Sequence, residues 1–203
     1  GGGDPAKMEA GRGPPPGEAA DSWFASFFAR AFGQDLPDVP IAPLELEDRW
    51  MLHRLAEAAQ RVDREMEARR LNDAAYAGYS CFWNEFCDWY LETIKPRLFE
   101  EGEGGDPARQ VSLWVLRRLL ALLHPFMPFV TEELWHAMGY GLDSETIGRA
   151  AWPEVVADEE LSAWGVERSV VDYVGDKCDM SRLGRNLRAD YGWLPLQKIR
   201  LLI

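Results

Sequence analysis

Glu85, Asp88 and Glu92 follow one another at i, i+3 and i+7, so a helix would bring three carboxylates to one face. Carboxylates in company can share acid and base work when a cleft holds them against a substrate. No partner motif accompanies these. The three histidines, His53, His124 and His136, are scattered, and His136 follows Glu132-Glu133 without the second histidine that a zinc-binding helix needs. His124, before Pro125, is placed to cap the carbonyls at a helix end. Cys81, Cys87 and Cys178 form no CxxC pair, and an odd number at irregular spacing argues against a disulfide framework and a zinc site. Cys87, between Phe86 and Asp88-Trp89, reads as a buried structural thiol. No glycine-rich phosphate loop occurs. These residues do not compose a catalytic centre, and a free-standing enzyme built on Glu85, Asp88 and His124 is the least supported reading.

Recognition chemistry is better represented. Arg49, Trp50 and Arg54 set an aromatic between two guanidiniums, with Trp50 and Arg54 one helical turn apart. Unpaired RNA bases are held by stacking on aromatic or arginine planes and by hydrogen bonds at their edges. The alternative places Trp50 in a core and pairs the arginines with Glu47 and Asp48. Lys95 and Arg97 flank Pro96, positioned for a phosphate or for the last carbonyls of a helix. Between Lys177 and Arg200 the chain holds Lys177, Arg182, Arg185, Arg188, Lys198 and Arg200 against Asp179 and Asp190. That basic stretch suits an RNA backbone or an interdomain salt-bridge surface. Trp83, Phe86, Trp89 and Tyr90 read as a core stripe rather than as stacking platforms. The formal charge of −12 excludes indiscriminate phosphate binding as the main activity, while leaving room for recognition of a few exposed bases.

Helices must position these groups. From Leu46 to Arg70 the apolar set Met51, Leu55, Ala58, Val62 and Met66 keeps helical spacing, with Glu57, Arg61 and Glu65 opposite at i+4 steps of attracting sign. Asn72 is the expected cap of a second helix carrying Ala75, Tyr79, Phe82, Phe86, Trp89 and Thr93, which Pro96 should end near Ile94. Asp106-Pro107 opens a third helix through Val111–Leu123. A fourth, Val130–Met138, turns Val130, Leu134, Trp135 and Met138 inward, with Thr131, Glu132 and Glu133 in its first turn. Asp143 to Glu167 reads as an acidic loop, and Arg168 to Asp190 as a helix. Lys198–Ile203 is β-like, and a chain stopping inside that apolar run reads as continuing further.

The expected architecture is mainly α: an antiparallel bundle over residues 46–140 with Met51, Leu55, Phe82, Phe86, Trp89, Leu120 and Leu134 buried, then the start of a small α/β subdomain over 141–203. Residues 1–20, with six Gly and four Pro, read as a flexible lead-in, and 21–45 as a short helix at Trp23–Phe32 and an extended connector. The 47% hydrophobic content, with nine Trp, nine Phe and six Tyr, supplies core material. No apolar run reaches the roughly 18 residues of a membrane span, and no signal peptide is evident; a reduced, cytoplasmic compartment is expected.

Phe82-Trp83-Asn84-Glu85-Phe86-Cys87-Asp88-Trp89-Tyr90-Leu91-Glu92, followed by Lys95-Pro96-Arg97, closely resembles the anticodon-binding helical domain of valyl-tRNA synthetases, members of the class I aminoacyl-tRNA synthetases. Asp48-Arg49-Trp50-Met51 with Arg54-Leu55 resembles the start of that family's preceding helix. Leu122–Trp135, Ala151-Trp152-Pro153 and Arg185-Asn186-Leu187-Arg188-Ala189 with Pro195 and Lys198-Ile199 resemble its later strings, in the same order. The resemblance covers about residues 46–203. The Cys-Asp-Trp-Tyr-Leu-Glu run points to the valine branch rather than to the related leucine, isoleucine and methionine synthetases. Where the family opens its bundle with an Asn- and Arg-bearing helix, this chain has the Phe-rich Trp23–Phe32.

The resemblance implies a domain that recognises a tRNA anticodon stem-loop within a valine–tRNA ligase. ATP and Mg would serve the catalytic half of the same polypeptide, whose signature motifs are not in this sequence. The domain itself would need no cofactor, and neither DNA nor a membrane is an expected partner. The residues whose chemistry and charge read as RNA contacts are Arg49, Trp50, Arg54, Lys95, Arg97, Arg182, Arg185 and Arg188. Two other readings remain open from sequence: the same domain of a sister synthetase, and a helical protein-interaction module without RNA binding.

Overall fold

A computed structural model describes residues 44–98, 107–140 and 146–192. Among these residues the chain forms helices and turns, with no strand. Helix α1 runs Leu46–Glu67 and α2 Leu71–Ser80, which continues as a π-helix over Cys81–Leu91 and returns to α geometry in α3, Glu92–Leu98. Then come α4 (Pro107–Leu123), α5 (Pro128–Ala137), a 3₁₀ turn at Ile147–Arg149, α6 (Asp158–Ala163) and α7 (Arg168–Asp190). The mainly α expectation holds. The lead-in, the helix at Trp23–Phe32, the polar turn at 101–105 and the β-like Lys198–Ile203 lie outside the described residues.

Two compact units divide the described residues. One takes Ala42–Lys95 with Glu154–Ile203, the other Pro96–Pro153. In the first, α1 packs on α2, on the π-helix and on α7. Its core is built from Trp50, Met51, Leu52, Leu55, Val62, Phe86 and Tyr90, and from Val171, Val174 and Cys178 of α7. Those three α7 residues follow a helical stripe of steps 3 and 4, which seats α7 on α1.

In the second unit α4 packs on α5. Helix α4 is buried almost all round, from Ala108 through Val111–Leu116 to Leu119, Leu120, Leu122 and Leu123. Met127 precedes Pro128, which opens α5 because its missing N–H falls where no intrahelical partner exists. The helix therefore starts two residues before the expected Val130, and its first turn holds no acid. Trp135 and Met138 face inward as expected, whereas Val130 is exposed and Leu134 half-buried.

Several local expectations are corrected. The second helix begins at Leu71 behind Arg70, so Asn72 sits inside its first turn and caps nothing. Pro96 lies within α3 without ending it at Ile94, and its missing N–H forfeits one hydrogen bond. The acidic stretch 143–167 contains the 3₁₀ turn and α6, whose first turn collects Asp158, Glu159 and Glu160 where the helix dipole favours them. His124 does not cap its own helix. Its Nδ1 is hydrogen-bonded to Thr131 Oγ1 at 2.9 Å, and that hydroxyl also lies 2.8 Å from the Met127 carbonyl.

The turn between α1 and α2 closes without glycine. Arg69 adopts φ +59°, its N–H bonds the Met66 carbonyl at 2.9 Å, and Arg70 N–H bonds the Glu65 carbonyl at 2.8 Å. This is the paired hydrogen bonding of a Schellman motif, with arginine at the left-handed position usually held by glycine.

Candidate nucleic-acid interface

The π-helix decides which aromatics are available. Its i→i+5 bonding widens the turn to about 4.4 residues, so inward positions recur every four or five residues. The buried set is accordingly Ala77, Cys81, Phe86, Tyr90, Ile94 and Leu98. This corrects the expected stripe: Phe82 and Trp89 are half-buried, Tyr79 and Thr93 exposed, and Trp83 stands 49% exposed. Tyr90 is core, and its hydroxyl donates to Asp48 Oδ1 at 2.8 Å. Trp89 lies under Arg185, whose guanidinium carbon sits 4.8 Å from the ring centroid. Trp83 instead stacks on Tyr79, with centroids 6.4 Å apart and planes 1° from parallel. An α-helical period cannot place these side chains, because the apolar residues of this segment fit both windings.

The basic residues sort by what already holds them. Arg54 is bound to Glu85 through two hydrogen bonds, Nε to Oε2 at 2.9 Å and Nη2 to Oε1 at 2.6 Å, and its Nη1 reaches Glu57. The Glu85 hydrogen bond, then burial opposing it and the Glu85 and Glu57 charges, leave the Arg54 guanidinium held above its ordinary range. Glu57 is thus taken by Arg54 and Glu65 by Arg70, in place of the expected i+4 pairing through Arg61. Lys95 pairs with Glu92, Arg182 with Asp179 at 3.0 Å, and Lys177 with Glu47 at 3.0 Å. Arg97 and Arg188 are half-buried and engaged.

Arg49 and Arg185 differ. Neither has a carboxylate partner among the described residues. The Arg49 guanidinium lies along the Gly165 turn, where a β-carbon would come within 3.4 Å of it, and glycine also suits the φ of +71° there. Its buried Nε has no acceptor. Trp50, however, is only 6% exposed. The expected base stacking on Trp50 is corrected: the indole is a core group of the first unit and presents no face.

Each residue proposed for acid–base work is described within its own unit. Glu85 is committed to Arg54, His124 to Thr131, and Asp88 is exposed. Burial and the Asp88 charge push the Cys87 thiol up to about 12, and burial also raises Cys81 and Cys178, which describes inert thiols. Among the described residues no group of three His, Cys, Asp or Glu side chains could hold a metal ion. No described helix is long and apolar enough to cross a membrane.

Among the described residues the chain is helical, with cations spread over α1 and α7. Residues 48–203 match the anticodon-binding domain of tRNA ligase, and the chain belongs to that family. It is 39% identical over 160 residues to the valine–tRNA ligase of Carboxydothermus hydrogenoformans, covering 79% of this chain and 17% of that protein. The valine–tRNA ligases of Geobacter sulfurreducens and Thermotoga maritima are each 36% identical over 186 residues, covering 89% of this chain and 20% of theirs. The chain thus spans about a fifth of the length of these curated relatives. The likeness is to valine–tRNA ligases rather than to a sister synthetase or a helical protein-interaction module.

Proposed function

We propose that this domain binds the anticodon stem-loop of a valine-accepting tRNA and orients it for a valine–tRNA ligase of which it forms part. The match of residues 48–203 to the anticodon-binding family carries this reading. The activation of valine with ATP and Mg is assigned to another part of that polypeptide, and the domain alone is read as non-catalytic, without a cofactor of its own and working in the cytoplasm.

Arg49 and Arg185 are the cations best able to meet RNA, since no carboxylate has to be displaced first. Arg185 is braced by its cation–π contact with Trp89, so little side-chain freedom is lost when it takes up a phosphate. Lys95 and Arg182 are held only by exposed i,i+3 pairs, each worth at most about 1 kcal/mol, and can exchange a carboxylate for a phosphate. Arg97 and Arg188 add to the basic field. Arg54 has the weakest claim, because its clasp on Glu85 joins α1 to the π-helix.

Titration of the full chain with a valine anticodon hairpin, a scrambled-loop hairpin and a loopless duplex, at two salt concentrations, tests this reading. Binding that depends on the loop and weakens with salt is expected. Equal affinity for all three RNAs would overturn it. Valine-dependent exchange between pyrophosphate and ATP should stay at background for this chain.

A further inference from the structure

Tyr79 and Trp83 are two large aromatics that the fold leaves outside, 44% and 49% exposed. They lie four residues apart where α2 passes into the π-helix, and their planes are within 1° of parallel with offset centres. Tyr76, exposed one turn earlier, extends the same face. Two residues beside them in the helix are small and neutral: the Asn84 side-chain amide donates to Ser80 Oγ at 3.1 Å, which leaves its carbonyl oxygen and a second N–H unspent. Arg70, at the N-terminal end of this helix, is held by Glu65.

We propose that the Tyr79–Trp83 pair is a stacking platform for an unpaired nucleobase of the bound RNA, with Asn84 placed to meet the base edge. This rests on the RNA-recognition reading above. A helical peptide would be met by flexible aliphatic side chains, as at the exposed Met180, Leu183 and Leu187 of α7; this face offers flat rings edged by amide and hydroxyl groups. A base has the matching shape, a planar π-system with hydrogen-bonding edges. Because no arginine or lysine of the described residues lies over either ring, the contact should add affinity without adding salt dependence. That separates it from the phosphate contacts at Arg49 and Arg185.

The test uses the full chain and a valine anticodon hairpin carrying 2-aminopurine in the loop, whose fluorescence is quenched on stacking. Trp83→Ala and Trp83→Leu should each weaken binding by about fivefold or more, with an unchanged salt slope, an unchanged melting temperature and loss of quenching at saturating protein. Trp83→Phe, which keeps a ring, should retain most of both signals. Comparing Leu with Phe, apolar side chains of which only one has a ring, decides the matter even if truncation to Ala lowers stability. Wild-type affinity and quenching in Trp83→Leu would overturn the platform while loop-dependent binding by the wild type keeps the RNA reading intact. Failure of the wild-type chain to prefer the hairpin over the duplex would instead remove the reading on which the platform rests. Release of bound hairpin by an amphipathic peptide, together with normal RNA affinity in Trp83→Leu, would assign the face to a polypeptide and likewise reject the proposal.

Discussion

The Tyr90 hydroxyl donates to Asp48 Oδ1 at 2.8 Å, joining the π-helix to the first turn of α1 inside the core. The other oxygen of the same carboxylate accepts the Glu45 backbone N–H at 3.0 Å, which fastens the N-terminus of α1. Asp48 is fully buried, so both contacts replace water that the carboxylate gave up on folding. Tyr90→Phe removes one partner and strands part of a buried charge. A loss of about 1–3 kcal/mol is expected from urea unfolding, well above the cost of deleting an exposed hydroxyl. A change within error would mean that the Asp48 carboxylate does not depend on this bond.

Arg69 closes the α1–α2 turn at φ +59°, where an L side chain crowds its own backbone. Its side chain is exposed, so nothing in the core depends on it. Arg69→Gly should therefore raise stability by about 0.5–1 kcal/mol, the relief at the left-handed position exceeding the extra freedom gained by the unfolded chain. Arg69→Ala keeps the β-carbon and should give no such gain. Equal melting temperatures for the Gly and Ala variants would reject this account.

His53 gives the fold a pH dependence of definite sign. Burial holds its imidazole below the ordinary value of 6.5; Glu57 and Asp158 oppose that effect, while Arg54 and Arg168 reinforce it. The unfolded chain thus takes up a proton at a higher pH than the folded chain does. Stability associated with the neutral ring is present above about pH 6.5 and is lost progressively as the pH falls below that value toward and through the lower value of the folded ring. Melting curves between pH 7.5 and 5 should decline less for His53→Asn than for the wild type. Parallel declines would show that other groups govern this range.

Most helices were legible because their punctuation is local. Pro107 and Pro128 mark helix starts, and the steps Met51, Leu55, Ala58 and Val62 name the face α1 buries. The π-helix was not legible. Phe82, Phe86, Trp89 and Tyr90 satisfy both a 3.6-residue and a wider turn, and only the packed bundle selects the winding that sends Tyr90 inward and Trp83 outward. The same limit applies to the site. Residue types revealed the cations, but Glu85 lies 31 residues from Arg54 and Glu47 lies 130 from Lys177, so which cations are spent emerges only from the tertiary arrangement. Gly165, against which Arg49 rests, carried no signal in a pattern of charges and aromatics.

Arg49 and Trp50 are neighbours in sequence with opposite expected phenotypes, and the contrast tests the interface directly. Trp50 packs in the core, so Trp50→Ala should cost about 3–5 kcal/mol of stability, while the molecules still folded keep their hairpin affinity. Arg49 has no ion-pair partner among the described residues and lies along the Gly165 turn. Arg49→Ala removes a charge that no carboxylate depends on, so the melting temperature should barely move. If Arg49 meets a phosphate, affinity for every RNA falls together and the slope of log affinity against log salt becomes shallower by about one. If it reads a base edge, the preference for the valine loop over a scrambled loop narrows and the slope stays nearly constant. No hydrogen bond holds the guanidinium at its buried Nε, so the two outcomes are separated by the salt slope and the loop preference. Unaltered RNA affinity in Arg49→Ala at low salt would remove α1 from the interface and leave Arg185 of α7 as its remaining free cation among the proposed contacts.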